Sequence, residues 1–182
     1  MNAPSFDPTH AVRFDLPRGS VHTERDGARV LLVPAAALDD LVLSAPPEAL
    51  DALGRSLGAA IGRRALARMG DAQGAGVEAF VAQIAGEAAV AGVGALSVER
   101  WGRALVVVVE GSSLAGALLG AVIGAALEGA SGRRVSCALL SRDERLARFF
   151  VGSDDGCARL KEWIGSGATW GEAIVKLHGG KA

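Results

Sequence analysis

From Gly92 to Arg134 the chain reads GVGALSVERWGRALVVVVEGSSLAGALLGAVIGAALEGASGRR. Leu105 to Val109 is an unbroken apolar run, mostly valine, closed off by Arg103 and Glu110. Such a run suits a strand buried on both faces, with the segment before the Trp101-Gly102 turn as its partner. Leu114 to Leu127 carries no charge, has Ser112 and Ser113 placed to cap it, and is followed by Gly129 and Gly132. A helix with no polar face cannot lie on water and must be enclosed by protein. At about 14 residues it is short of the roughly 20 that span hydrocarbon, so a membrane span is not expected. Nothing in the unit does chemistry, which points to binding or association.

Composition narrows the classes further. The chain has 182 residues, enough for one domain with a full core, and one domain is expected. Its formal net charge of −1 offers no electrostatic footprint for nucleic acid or anionic lipid. Aromatic residues make up 4% and there are 25 glycines, so elements must approach closely or leave space between them. Two cysteines, Cys137 and Cys157, are too few for a disulfide framework and fit a reducing compartment. The first ten residues are polar and hold Pro4 and Pro8, unlike an apolar leader, so a cytoplasmic protein is expected. The excess of Arg over Lys suggests a bacterium of high GC content.

Along the chain, residues 1–10 read as a disordered lead-in, 11–178 as one domain and 179–182 as a tail. Ala11 to Leu16 reads as a strand, and Val21-His22 pairs with Arg29 to Val33 across Arg25-Asp26-Gly27. Ala35 to Leu43 suits a short helix. From Glu48 to Met69 a longer one carries Leu50, Leu53, Leu57, Ile61 and Leu66 at helical spacing. Its Gly54, Gly58 and Gly62 lie four apart, where another helix could come close. After a glycine-rich break at Gly70 to Gly76, Val77 to Ala91 is helical. Arg133 to Leu140 and Leu146 to Val151 pair as strands. Ser153-Asp154 caps a helix to Ile164, and Trp170 to Leu177 is the last. The order predicts an α+β domain, an antiparallel sheet covered by a layer of helices.

Two blocks together resemble a known family. Arg29 to Leu38, followed by Leu57-Gly58 and Ala65 to Gly70, resembles the start of the aromatic-sensing input domains of bacterial transcription activators. Those belong to the 4-vinyl-reductase, or hydrocarbon-binding, superfamily. Gly92-Val93-Gly94 through Ser112-Ser113 to Gly120 resembles the centre of the same domain, whose fold is shared with Bet3-type subunits of the TRAPP vesicle-tethering complex. The resemblance implies helices over an antiparallel sheet, a pocket for an apolar molecule or acyl chain, and a homodimer. The zinc-holding relatives have a cysteine cluster after the equivalent of Cys137. Here Ala138 to Gly156 has none, and the histidines at 10, 22 and 178 are scattered. A structural zinc site needs about four ligands, so no metal and no other cofactor is expected.

Candidate chemistry is sparse. Glu87, Glu99 and Glu110 could orient a polar ligand group, but solvated charges are the commoner state of such residues. Cys137 reads as a small buried hydrophobe. Cys157, near a helix N-terminus, is placed where a thiol pKa can fall. No Ser, Cys or His stands in a catalytic motif, so the chain is not expected to be an enzyme. The reading is a homodimeric binding module that holds a small apolar or aromatic ligand for signalling. Its expected pocket lies between the long helices and the strand pair, lined by Leu57, Ile61, Phe80, Ile84, Leu96, Val106, Val108, Leu118 and Val122. Gly116, Gly120 and Gly124 form a small-residue row expected at a helix or subunit interface. The alternative is a ligand-free scaffold or adaptor engaging an unidentified protein partner, as the tethering subunits do.

Overall fold

The structure, a computed structural model, describes residues 6–69 and 77–179. The expected break at 70–76, residues 1–5 of the lead-in and the tail beyond 179 lie outside the described residues. Three short strands open the chain: β1 (Val12–Asp15), β2 (Ser20–Thr23) and β3 (Arg29–Val30), a sheet in that order. Helices α1 (Ala35–Ser44), α2 (Pro47–Met69) and α3 (Val77–Val90) follow. Then come strands β4 (Ala95–Trp101) and β5 (Ala104–Glu110), helix α4 (Gly116–Ser131), and strands β6 (Ser136–Arg142) and β7 (Leu146–Gly152). Helices α5 (Asp154–Gly165) and α6 (Trp170–Gly179) close the chain. The four long strands form an antiparallel sheet ordered β4-β5-β7-β6.

The α+β expectation holds, with helices on both faces of the larger sheet. One core joins α2, α3 and α4 to the face that carries Val107, Val109, Ala147 and Phe149. The other joins α5 and α6 to the face that carries Val106, Val108, Leu140 and Phe150. Successive strand residues point to opposite faces, so the valine run of β5 has to be apolar at every position. Trp101 pairs with Ala104 across the expected turn, and Gly102 takes φ 62°, which a side chain would oppose. Ser153 caps α5 as expected, accepting from the Gly156 amide at 3.2 Å. Among the described residues no helix is long and apolar enough to cross a membrane.

Helix α4 starts later than the serines suggest. Its N-cap is Ala115, without a side-chain cap, and Ser112 instead accepts from the Leu114 amide at 3.3 Å, inside the preceding turn. The expected glycine seam is real and lies on α2. A Cβ on Gly54 would stand 2.6 Å from Ala121 Cβ and 2.9 Å from the Leu118 carbonyl. One on Gly58 would run into the Val122 carbonyl, and one on Gly62 into that of Ala126. Because 54, 58 and 62 meet successively later turns of α4, the two helices run in the same sense. They touch backbone to backbone for three turns.

Candidate functional site

With α2 pressed against one side of α4 and the sheet beneath it, a third side of α4 stays open. Along it run Gly116, Ala117, Gly120, Ala121, Gly124 and Ala125, none with a side chain beyond Cβ; Ala121 and Ala125 also border the α2 seam, and Gly124 is buried. These residues floor a trough of about 600 Å³. Ten helical residues at 1.5 Å each make that floor roughly 15 Å long. Pro47, Asp51 and Arg55 of α2 form one wall; Cys137 and Leu139 of β6 with Cys157, Ala158 and Lys161 of α5 form the other. Phe149 of β7 lies at the base, where a Cβ on Gly120 would meet its ring at 3.5 Å.

Polar groups sit at the trough's rim. Arg55 donates from Nε to Asp51 at 2.7 Å, and this bond holds its guanidinium pKa above the usual value. Ser136 donates to Asp154, which also pairs with Arg134 at 3.3 Å. Lys161 has no ion pair among the described residues. Burial pushes the Cys137 thiol up to about 12, with the nearby Cys157 adding to the shift. Burial also raises the Cys157 thiol, and Lys161 opposes the shift without reversing it. The lowering expected from the α5 N-terminus is therefore overcome by desolvation. Both groups are thiols at neutral pH, so neither is poised as a nucleophile. The trough can hold an apolar body and offer hydrogen bonds and charge at its edge.

The nine residues expected to line one pocket are divided by the sheet. Leu57, Ile61, Phe80, Ile84, Leu96, Leu118 and Val122 gather in or against the core under α2, α3 and α4. Val106 and Val108 point through the other face, into the core under α5 and α6. A strand buried on both sides gives no polar residue to tell its faces apart, which is why the sequence grouped them. Where the pocket was expected, Ile84 and Leu96 border an apolar slot of about 10 Å³, at most the room of one water. The glycine row Gly116, Gly120 and Gly124 turns to the trough and to strands β6 and β7. A Cβ on Gly116 would meet Leu139 at 3.0 Å, and one on Gly124 the Cys137 sulfur at 3.8 Å.

A second feature was read from sequence as ordinary surface charge. Glu87 of α3 is 2% exposed. It accepts from Arg64 Nε at 2.7 Å and from Arg68 Nε at 2.5 Å. Arg64 also lies 3.9 Å from Asp26 in the β2–β3 turn, and Arg68 lies under the Phe6 ring, 4.4 Å from its centroid. The cluster ties α2, α3, the small sheet and the chain before it together. Its sequence signal was the i, i+4 spacing of Arg64 and Arg68. Glu99 is half-exposed and accepts from Trp101 Nε1 at 2.8 Å; Glu110 is exposed.

No family model matches the sequence, and no curated protein sequence matches it either. A solved structure does match in fold: the phenol-responsive sensory domain of the transcription activator PoxR, determined with phenol. The likeness has a TM-score of 0.59 and 15% sequence identity, and spans 94% of this chain and 98% of that one. Over nearly its whole length, this chain therefore has a fold like that of the PoxR sensory domain.

Proposed function

We propose that the chain is a ligand-binding sensory module and that its ligand, a small apolar or aromatic molecule, lies in the trough along α4. The observation that carries this is a space of about 600 Å³ floored by three turns of glycine and alanine. Ligand sites run from roughly 300 to 1,000 Å³, and this one has that size, with an apolar floor and charged or polar side chains such as Asp51, Arg55, Asp154 and Lys161 along its walls. A domain built only for packing would fill such a floor with larger side chains, since open apolar surface costs stability. The likeness to a sensory domain solved with phenol supports the same class of ligand. The thiols held protonated, and rim carboxylates engaged with Arg55, Arg134 and Ser136, support binding over catalysis.

The adaptor reading is favoured by one observation, the nearly filled slot beside Ile84. Native mass spectrometry of freshly purified protein separates the two. A sensory module carries or takes up an apolar small molecule, seen as a stoichiometric mass increment. Protein that stays at its bare mass after incubation with phenol and alkylphenols speaks for the adaptor.

A further inference from the structure

The charges of the trough are unevenly matched. Four charged residues line it: Asp51, Arg55, Asp154 and Lys161. Asp51 and Arg55 neutralise each other through the bond at 2.7 Å. Asp154 is met by Arg134 at 3.3 Å and by the Ser136 hydroxyl. Lys161 is exposed and has neither ion pair nor hydrogen bond among the described residues. Its placement follows from α5. Asp154, Cys157, Ala158 and Lys161 recur at i, i+3, i+4 and i+7, so one face of that helix forms the wall. At 1.5 Å per residue, Lys161 stands roughly 10 Å along the axis from Asp154, too far for the two to pair. Its charge is felt within the wall, where it opposes the rise of both the Cys137 and the Cys157 thiol. Off the ends of the floor, Glu128 and Arg142 add one charge of each sign. Glu128 lies a turn past Ala125 and its charge reaches Arg55; Arg142 donates to the Leu114 carbonyl at 2.6 Å. Among the described residues, one positive charge of the trough is left without a counter-charge.

We propose that the ligand is a monocarboxylic acid with an aromatic or alkyl body, its carboxylate accepting from Lys161 Nζ and its body lying along the glycine and alanine floor. The inference rests on the ligand reading and narrows it. A neutral guest in the trough takes water from one side of the ammonium and returns nothing. A carboxylate returns a charge-assisted hydrogen bond. One free cation suits one negative charge. A dianion such as a phosphate monoester would bring a second charge towards Asp51 and Asp154, whose partners are already engaged. The floor, roughly 15 Å long and without a side chain beyond Cβ, has the length for an alkyl tail or a substituted ring.

Isothermal titration of the full chain at neutral pH with para-butylbenzoate and with its neutral counterpart, para-butylbenzamide, tests it. The two differ in charge and little in shape, so the ratio of their affinities reads the contribution of the carboxylate. The wild type is expected to bind the acid about fivefold more tightly than the amide, the upper range for a partly exposed ion pair. Lys161→Arg should keep that preference, and Lys161→Gln should bring the ratio close to one. Lys176→Gln alters a lysine that lies over the Trp163 ring, away from the trough, and should leave the preference in place. A wild type that binds the amide or butylphenol without preferring the acid overturns this inference and leaves the ligand reading standing. So does a preference that survives Lys161→Gln, or a Lys161→Gln protein that loses acid and amide alike. A wild type that takes up none of these probes overturns both.

Discussion

Glu87 is buried inside the fold, where two guanidinium groups reach it from one face of α2. Arg64 and Arg68 are a helical turn apart, so their side chains converge on a single carboxylate across the α2–α3 interface. The desolvation of such a cluster offsets much of its Coulomb attraction, so the intact group adds little net stability. Removing one member is different, since it strands a buried charge. Glu87→Ala is expected to destabilise the fold by about 3 kcal/mol, the lower end for breaking a buried pair. Asp26 near Arg64 and the partial exposure of Arg68 keep the loss from being larger. Urea unfolding followed by circular dichroism measures this; a change within experimental error would mean that the arginines find water. The sequence could not show this cluster, because a Glu near a helix end looks the same whether it faces solvent or a partner helix.

Among the elements, α2 and α4 show what was legible and what was not. The row Gly54, Gly58, Gly62 is spaced so evenly that close approach by a helix could be read directly, and α4 is that helix. The row Gly116, Gly120, Gly124 has the same spacing and a different use: it opens to the trough and to β6 and β7. Glycine spacing signals that something comes near, or that room is left, without saying which. In the same way the valines of β5 revealed a strand buried on both faces but could not sort Val106 and Val108 from Val107 and Val109. The order of strands and helices needed only periodicity and turn residues, so the architecture was legible while the location of the cavity was not. The seam makes a sharp prediction. Gly58→Ala drives a methyl group into the Val122 carbonyl, which belongs to helix backbone and cannot turn aside. A loss of about 1–3 kcal/mol is expected from such overpacking, read as a lowered urea midpoint. An unchanged midpoint would mean that α2 and α4 stand further apart.

At the scale of the molecule, the sheet separates two cores, and the helical layer on one side is closed against α2 but open along the glycine face of α4. That opening is what a sensory module needs and what a purely structural domain would fill. Gly120 offers the most direct test, because it stands at the middle of the floor, where an added Cβ would meet only the Phe149 ring, at the ordinary contact distance of 3.5 Å. A leucine there projects into the trough and takes up its volume while leaving the α2–α4 seam untouched. Isothermal titration of the wild type and Gly120→Leu with phenol and with butylphenol, alongside their thermal unfolding, measures the claim. The account predicts saturable binding of at least one probe to the wild type, lost in Gly120→Leu, with nearly unchanged unfolding. Equal binding by both proteins would put the ligand elsewhere, and no binding by the wild type would contradict the sensory reading itself.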